Sequence, residues 1–400
     1  MKEISVGVVG AGFIGPVHIQ ALRRMPYVKV TALAETDEET ACQKAGMCGI
    51  DRYYGSYEAM LVEGDIDVVH VCSPNNLHAP MAKKALLAGK HVVCEKPLAI
   101  SADEARDLVE TAKKSGLVNA LHFNVRYYPL IRQLKTMVQK NEMGKIFSIH
   151  GSYLQDWLFY ETDYNWRLES KMSGKSRAVA DIGSHWMDLV EYVSGIRIVE
   201  VMADFATVHR LRKKPLRPVE TYAGKILAPE DYADVEIDTE DYASMLFHFE
   251  NGERGALTVS QISAGRKNRI YFELDASKKS AAWDSEMPNQ LWIGRRDGNN
   301  EILMKDPSLF YPEARSLVSL PGGHQEGFND TSVQLFGECY ADIRSGGPSA
   351  APSYPTFADG LREILLCDCI LESQAQKKWV AVGKWSNASL TPEHERAPAS

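Results

Sequence analysis

The sequence predicts an α/β fold in which a doubly wound parallel sheet is followed by an α+β domain with a large open, mainly antiparallel or mixed sheet. Its 400 residues exceed the usual size of one domain. Strand-like and helix-like segments alternate up to about residue 123, whereas strand-like runs with few helices follow from about residue 143. We therefore expect two domains, residues 1–124 and residues 125–400.

The alternation in the first domain predicts parallel strands. Strands that are joined through helices pair in parallel by right-handed crossovers, and their ligands bind outside the carboxyl ends of the strands. One of the helices has a clear beginning and end, with Ser101 as N-cap, Glu104 at the capping-box position and Gly116 as terminator. The main strand-like segments are, in order, "ISVGVVG", "VKVTALAE", "IDVVHVC", "HVVCE" and "LVNALHF".

The second domain is predicted from runs such as "KIFSIHGSYLQDW", "DYASMLFHFENG" and "RGALTVSQISAG", which are joined by turn residues. The segment from Lys213 to Glu240 has no clear period and is expected to form a long loop. A late helix at about 356–375 could pack back on the N-terminal domain.

The charge of the chain argues against nucleic acid as a partner. The formal net charge is −8 and the pI is about 5.8, and no basic stripe is present, so nucleic acid is not expected as a partner. The short basic cluster Arg210, Arg212, Lys213 and Lys214 is expected to be a solvated loop.

Cellular location follows from the cysteines and from the apolar runs. The seven cysteines are scattered without metal-like spacing, and no other metal-ligand set is evident, so no metal is expected. The chain shows no signal region and no apolar run of roughly 18 residues, so no membrane partner is expected. Together these features favour a reduced, cytoplasmic protein.

A glycine motif lies directly between the first strand and the first helix. In "VVGAGFIG", Gly10, Gly12 and Gly15 permit a tight turn and a close backbone approach, and the loop also contains Phe13 and Ile14. A pyrophosphate can then sit on the helix N-terminus. Glu35 ends the second strand roughly 20 residues later, where an acid can bind the adenosine ribose 2′-hydroxyl and repel a 2′-phosphate. The expected cofactor is therefore NAD rather than NADP.

A second loop on the same edge of the sheet ends the strand "IDVVHVC". In "SPNNLHAP", we expect Ser73, Pro74, Asn75 and His78 to contribute to the cofactor site, with Pro74 and Asn75 against the nicotinamide ribose. An alternative is that Asn75 or Asn76 caps a helix, and the two roles are compatible.

The stretch "HVVCEKPLAIS" places Glu95, Lys96 and Pro97 at the mouth of another strand. Proline removes a backbone donor and fixes the turn, and a cis Lys96–Pro97 bond is one way to hold it. Glu95 could pair with a nearby cation or accept from backbone donors. Lys96 is thereby aimed at the nicotinamide end of the predicted site.

The order of "GAGFIG", "SPNNLHAP", "CEKPLAIS" and "ADIGSHWMDL" resembles the Gfo/Idh/MocA family, the glucose-fructose oxidoreductase and inositol dehydrogenase superfamily. The later segments "SQISAGRKN" and "PGGHQEGF" look like those of sugar-dehydrogenase members. The resemblance implies an N-terminal Rossmann domain, a C-terminal substrate-binding domain that often forms the oligomer contact, and a site in the cleft between them. A homodimer or homotetramer through the C-terminal sheet is expected on this basis.

Three residues match the catalytic positions of that family: Lys96, Asp181 and His185. Imidazole has a pKa of about 6.5, so His185 is the candidate base for the substrate hydroxyl. Lys96 would donate a hydrogen bond to the substrate oxygen, and Asp181 would orient the substrate or the histidine. The resemblance also implies cofactor or substrate contacts for Asn124 and Arg126, and Glu95 belongs to the same predicted cofactor site. His18 is expected to be a packing residue.

The residues expected to bind substrate combine polar groups for paired hydroxyls with aromatic faces for the CH surface of a sugar. An alternative for the aromatic members is that they complete the domain core. In addition to Lys96, Arg126, Asp181 and His185, the set comprises Tyr153, Gln155, Asp156, Trp157, Asn165, Trp166, Arg167 and His324.

The function expected from these motifs is NAD-dependent oxidation of a secondary hydroxyl, at C3, of a pyranose, glycoside, anhydrosugar or cyclitol. Two alternatives stay open. The first is a redox-neutral NAD-dependent glycosidase of the same fold, because both reactions begin with the same hydride step. The second is a cofactor-sensing regulator without chemistry, which the joint presence of Lys96, Asp181 and His185 disfavours.

Overall fold

The computed structural model describes residues 3–216 and 231–383. The chain divides into two units. The first unit contains Met1–Tyr127 and Phe328–Ile364, and the second contains Tyr128–Gly327 and Leu365–Ser400. The sequence predicts that all residues after 124 belong to the second domain, and that the late helix could pack back on the first domain. In the structure, the segment 328–364 belongs to the first unit, because its helix packs on that unit through buried side chains.

The first unit contains a six-stranded parallel sheet with the strand order β3-β2-β1-β4-β5-β6. This order confirms the doubly wound sheet. Its strands are β1 (Ile4–Val9), β2 (Val28–Ala34), β3 (Arg52–Tyr54), β4 (Val68–Val71), β5 (His91–Cys94) and β6 (Asn119–Leu121). Its helices are α1 (Ile14–Arg23), α2 (Glu38–Cys48), α3 (Tyr57–Glu63), α4 (Asn75–Leu87) and α5 (Ala102–Ser115), followed by a short 3₁₀ segment, Asn124–Tyr127.

The caps predicted for α5 are present in the structure, whereas those considered for α4 are not. The Ser101 hydroxyl accepts from the Glu104 backbone N–H at the start of α5, and Gly116 ends that helix in the left-handed conformation. Glu104 accepts from the N–H of Ile100, one residue before the N-cap, so the capping box is shifted by one residue from its usual form. Asn75 and Asn76 do not cap α4, because Pro74 occupies the N-cap position and the cap makes no side-chain hydrogen bond.

Register brings the predicted functional residues to one edge of the sheet. The last residues of five strands are paired in a row across the sheet: Ala34, Val9, Val71, Cys94 and Leu121. The next residue along each of these strands is therefore at the carboxyl edge, where ligands of such sheets bind. These next residues are Glu35, Gly10, Cys72, Glu95 and His122.

The second unit contains a nine-stranded mixed sheet with the order β16-β15-β14-β13-β7-β12-β11-β8-β17. Within the described residues, β7 and β12 are the only neighbours of this sheet that pair in parallel. The other pairs are antiparallel, which confirms the predicted open, mainly antiparallel or mixed sheet. The strands are β7 (Ile146–Leu154), β8 (Ile198–Ala206), β11 (Tyr242–Phe249), β12 (Arg254–Ser260), β13 (Arg269–Ala276), β14 (Ser280–Asp284), β15 (Gln290–Gly294), β16 (Glu301–Met304) and β17 (Val380–Ala381).

A separate ribbon corrects the prediction of a long loop from Lys213 to Glu240. β9 (Leu211–Pro215) and β10 (Tyr232–Glu236) pair antiparallel, with Lys213 opposite Asp234. Opposite charges on facing residues and a buried arginine, described below, account for strands where the sequence has no apolar period. Residues 217–230 of the predicted loop lie outside the described residues.

The remaining helices include α8 (Ser184–Ser194), which carries one of the predicted catalytic residues and packs closely on the sheet. Trp186 of α8 is fully buried and donates its indole N–H to the Tyr271 carbonyl. A Cβ at Gly151 of β7 would lie 2.7 Å from the Trp186 indole nitrogen, so this approach requires glycine. The other helices are α6 (Pro129–Gln139), α7 (Ser170–Ser173), α9 (Pro312–Arg315), α10 (Phe328–Arg344) and α11 (Phe357–Gln376). Among the described residues, no helix is both long and apolar enough to span a bilayer.

Candidate active site

The glycine loop has the geometry of a dinucleotide-binding turn. Gly10 has a φ of +88°, and a Cβ there would lie 2.7 Å from the Cys72 carbonyl oxygen. A Cβ at Gly15 would lie 2.2 Å from the Gly10 carbonyl oxygen, so this glycine permits close packing of helix against strand. A Cβ at Gly12, in contrast, would meet no protein atom within 4 Å. Space is thus left beside the backbone at Gly12, where a pyrophosphate approaches in such folds, and Phe13 and Ile14 follow it at the start of α1.

Glu35 lies at the end of β2, beside this loop. Its Oε1 accepts from the Ala11 backbone N–H at 2.5 Å, and its own N–H donates to the Tyr54 carbonyl. The carboxylate is therefore held next to the turn that would hold the pyrophosphate. This position agrees with the ribose-binding role that the sequence predicts for Glu35.

The second loop is tied to the turn that contains Lys96. His78 is buried, and its Nδ1 and Nε2 lie 2.6 Å and 2.8 Å from the Pro97 and Ser73 carbonyl oxygens. Both ring nitrogens thus face protein carbonyls, so His78 joins the two loops. Ser73 and Pro74 precede α4 directly, and Asn75 is its first residue and is buried.

The Lys96 turn is held from both sides. The Lys96–Pro97 peptide bond is cis. The preceding residue, Glu95, is only 6% exposed, and its Oε2 accepts from the Lys96 backbone N–H at 3.2 Å. Lys96 therefore directly follows a buried carboxylate at the mouth of β5.

Two histidines contact Glu95, and a third contacts one of them. Glu95 Oε1 lies 2.9 Å from His18 Nε2 and 2.6 Å from His122 Nδ1. His18 Nδ1 lies 2.9 Å from His70 Nδ1, and all three imidazoles are buried. The sequence predicts a packing role for His18 and no set of metal ligands, whereas potential ligand atoms of His18, Glu95 and His122 lie within 4.8 Å of one another in the structure.

The environment favours neutral imidazoles at His18 and His70 and an ionised carboxylate at Glu95. Burial, with a further contribution from His122, lowers the pKa of His18 to about 4, although Glu95 opposes the shift. Burial, together with the nearby His18 and His122, holds the pKa of His70 well below its usual value. Burial alone would raise the pKa of Glu95, but the charge and hydrogen bonds of His122 and His18 outweigh it and hold the pKa well below its usual range.

These shifts predict that the protein loses stability as the pH falls from about 6.5 towards 4. The unfolded chain binds protons at His18 and His70 in this range, whereas the folded chain binds fewer, so acid favours unfolding. With folded and unfolded pKa values of about 4 and 6.5, His18 alone contributes a loss on the order of 2 kcal/mol at pH 5. Urea unfolding at pH 7.5, 6 and 5 measures the free energy of unfolding. This free energy should fall less steeply with decreasing pH in His18→Gln than in the wild type. His150→Gln, at a half-exposed position, is the control; equal slopes for His18→Gln and the wild type would contradict the assignment.

Asn124 and Arg126 contact groups from the returning segment of the first unit. Asn124 Nδ2 donates to Thr331 Oγ1 at 2.7 Å, and Arg126 Nη2 donates to Asp359 Oδ1 at 2.9 Å. Both side chains are buried. Their described contacts hold the start of α10 and of α11 against the strand ends, and the predicted cofactor or substrate contacts stay predictions.

In the second unit, Asp181 and His185 lie on one continuous helical segment. Asp181 is within a π-helical turn, Val179–Gly183, and His185 is in the first turn of α8. Such turns are frequent at functional sites. Both residues are about 8% exposed, and the ring of Tyr153 lies 6.1 Å from that of His185.

Asp181 is oriented by two side chains. Gln261 Nε2 donates to Asp181 Oδ2 at 3.1 Å, and Arg167 Nε lies 3.6 Å from Asp181 Oδ1. The Arg167 guanidinium also covers the Trp166 ring at 4.5 Å. Arg167, Trp166 and Asp181 are thus in contact, as are Tyr153 and His185. The helical segment that carries both Asp181 and His185 connects the five residues into one group.

The other predicted substrate residues have more varied positions. Tyr153 Oη and Gln155 Nε2 both donate to Asn268 Oδ1 at 2.7 Å. Asp156 pairs with Lys267 on an exposed loop, and Asn165 accepts from the Arg167 N–H. Trp157 is half-buried, and His324 is exposed in the loop that precedes α10. Asn268 and Gln261 are not among the predicted site residues, although both lie in the segment "SQISAGRKN".

A buried ionic network supports this group and corrects the prediction of a solvated basic loop. Arg212 is fully buried. Its two terminal guanidinium nitrogens donate hydrogen bonds there to Asp241 Oδ1 and to the carbonyls of Leu158, Tyr160 and Asp163. Arg177, also buried, donates to the same Asp241 oxygen at 2.5 Å and to Gln261 Oε1 at 2.9 Å. A continuous chain of hydrogen bonds thus runs from the 158–163 loop to Asp181.

Comparison with known proteins agrees with this arrangement. Residues 4–123 match the family described as "Oxidoreductase family, NAD-binding Rossmann fold", and residues 131–282 match the "GFO/IDH/MocA C-terminal domain". A levoglucosan dehydrogenase of Pseudarthrobacter phenanthrenivorans is 28% identical over 401 residues, covering 96% of this chain and 99% of that protein. A glucose-6-phosphate 3-dehydrogenase of Bacillus subtilis is 29% identical over 235 residues, covering 59% of this chain and 63% of that protein. The solved structure of a levoglucosan dehydrogenase with NADH and levoglucosan has a TM-score of 0.83 and 28% identity, covering 95% of this chain and 99% of that one. This chain therefore belongs to the Gfo/Idh/MocA family of NAD-binding oxidoreductases.

Proposed function

We propose that the protein oxidises the C3 hydroxyl of a pyranose or anhydrosugar with NAD. The observation that carries the proposal is the connected group of Asp181, His185, Arg167 and two aromatic rings in the second unit. This group combines a candidate base with polar and aromatic surfaces of the kind that sugars need. The relatives named as levoglucosan and glucose-6-phosphate 3-dehydrogenases support the substrate class and the position.

Three residues would carry out the proposed reaction: His185, Lys96 and Asp181. His185 takes the proton of the substrate hydroxyl, and Lys96 donates a hydrogen bond to the oxygen as negative charge develops on it. Asp181 is held by Gln261 and Arg167, and it orients the substrate or the imidazole. NAD, when bound, supplies a hydride acceptor, so the reaction requires no metal.

The position of oxidation can be tested with deuterium. 1,6-Anhydroglucose carrying deuterium at C2, C3 or C4 would be incubated with the protein and NAD. We expect the label in the reduced cofactor, and a primary isotope effect, only with the C3-labelled sugar. Label from C2 or C4 would contradict the C3 assignment. Release of an aglycone from a glycoside without accumulation of NADH would select the redox-neutral glycosidase instead.

We propose that Glu35 sets the preference for NAD over NADP. Its carboxylate lies beside the glycine loop and would repel a 2′-phosphate while accepting from the ribose hydroxyls. Glu35→Ala should therefore reduce the ratio of kcat/KM for NAD to that for NADP by at least about 10-fold, through lost hydroxyl contacts and lost repulsion. Glu39→Ala, at an exposed position of α2, is the control. An unchanged ratio in Glu35→Ala would count against the ribose contact.

The assembly of the chain stays a prediction. We propose a homodimer or homotetramer through the nine-stranded sheet, as the resemblance implies, and the molar mass in solution measured by light scattering tests it. A monomer at micromolar concentration would contradict this proposal.

A further inference from the structure

The cluster around Glu95 has a single hydrogen-bond direction. An ionised Glu95 only accepts, so His18 Nε2 and His122 Nδ1 must both donate to its Oε1. A neutral His18 then accepts at Nδ1 from His70 Nδ1, which lies 2.9 Å away. His70 Nε2 in turn accepts from the Tyr340 hydroxyl at 2.9 Å. Tyr340 thus donates to His70, His70 donates to His18, and His18 donates to Glu95. His122 donates to the same Glu95 oxygen.

The surroundings fix this arrangement. The Phe336 ring of α10 packs against all three imidazoles, with ring centroids 4.9, 4.9 and 5.4 Å apart. Ser332 Oγ lies 2.9 Å from His122 Nε2, on the same helix as Phe336 and Tyr340. The rings are therefore held by packing as well as by hydrogen bonds, and α10 supplies three of the contacting residues.

The charged and titratable groups near Glu95 come from each element packed around it. Lys96 follows in the same turn, the histidines come from α1, β4 and the residue after β6, and Tyr340 comes from α10. Two thiols, Cys72 and Cys94, are also nearby, and burial followed by the charge of Glu95 raises the pKa of each well above its usual value. Glu95 is thus an anion that protein donors compensate within the first unit.

The distances favour hydrogen bonds over a metal site. Three ligands around a tetrahedral zinc at 2.0–2.1 Å would lie about 3.3 Å from one another. In the structure, both imidazole nitrogens approach one carboxylate oxygen to 2.9 Å and 2.6 Å, which are hydrogen-bond distances.

We infer that Glu95, with the three histidines and Tyr340, is a positioning network for Lys96. Glu95 Oε2 holds the Lys96 backbone N–H, while the converging donors fix Glu95 Oε1 and keep the carboxylate in place. The network thereby sets where the Lys96 ammonium stands when charge develops on the substrate oxygen. This role rests on the proposed function, since it needs Lys96 to act on the substrate.

A double-mutant cycle tests the inference. Glu95→Gln keeps the shape but places an amide donor among N–H donors, so kcat should fall by about 10-fold or more, while the KM for sugar and the Kd for NADH change less than about 3-fold. In the Lys96→Ala background the same change should lower kcat less than about 2-fold, because its effect passes through Lys96. Glu253→Gln, at a buried carboxylate of the second unit, is the control. Equal losses of kcat in both backgrounds would overturn the role.

A second measurement does not depend on activity. Nitrogen-15 NMR of the histidine side chains at pH 7.5 should show His70 neutral with its proton on Nδ1. Tyr340→Phe should leave the proton on Nδ1, because the His18 acceptor fixes it from the Glu95 side. A proton on Nε2 of wild-type His70 would overturn the network even in an active enzyme. Zinc or another transition metal bound stoichiometrically in the purified protein would also overturn it. A correct tautomer in a protein that oxidises no sugar would refute the proposed function and, with it, the positioning role, while leaving the hydrogen-bond direction intact.

Discussion

Replacing Lys96 by alanine is expected to lower kcat for sugar oxidation by on the order of 100-fold or more while the Kd for NADH changes less than about 3-fold. The ammonium is proposed to donate to an oxygen that becomes negative only as the reaction proceeds, so its loss affects the transition state more than binding. Steady-state kinetics and NADH fluorescence titration measure the two quantities.

The same strand offers a matched control for Lys96. Lys90 directly precedes β5 at its opposite end, away from the carboxyl edge of the sheet. Lys90→Ala removes the same charge and side chain, and we expect its kcat within about 2-fold of the wild type. Lys96→Ala with kcat as high as that of Lys90→Ala would refute the assigned role of Lys96.

Replacing Asp241 by asparagine is expected to lower the free energy of unfolding by about 3–5 kcal/mol, because it leaves two buried guanidinium groups without their shared carboxylate. Arg177 and Arg212 both donate to Asp241 Oδ1, and the backbone N–H groups of Val208 and His209 donate to Oδ2. An amide nitrogen cannot accept from either N–H group. Chemical denaturation at neutral pH measures the change.

A surface ion pair on the neighbouring ribbon is the control for Asp241. Asp234 pairs with Lys213, and both side chains are more than one third exposed. Asp234→Asn should therefore cost at most about 1 kcal/mol. A loss in Asp241→Asn no larger than that in Asp234→Asn would contradict the view that this network supports the 158–163 loop and the Asp181 turn.

The sheet of the first unit could be predicted because its signals are local. β-branched runs, the glycine turn and the Ser101 cap each lie within a few residues, and the strand mouths then follow from parallel pairing. For the same reason the positions of Glu35 and Lys96 at the carboxyl edge were predictable from the sequence.

The interactions that organise the candidate site are long-range, and the sequence does not reveal them. His18, His70 and His122 come from three parts of the chain, and Tyr340 lies 270 residues beyond His70, its hydrogen-bond partner. Arg212 looked solvated within a basic run, and only its contact with Asp241 explains its burial. Side-chain partners at such separations depend on the completed fold.

The most direct test of the central claim is the reduction of NAD by a sugar. Purified protein would be incubated with NAD and, separately, with NADP, together with a panel of pyranoses, glycosides, 1,6-anhydroglucose and inositols. Absorbance follows the reduced cofactor, and mass spectrometry follows the products. We predict that NADH accumulates with at least one pyranose or anhydrosugar, in step with a product two hydrogen masses lighter. The absence of reduced cofactor and of any product with every polyol and glycoside would contradict the proposed oxidation of a sugar by this protein.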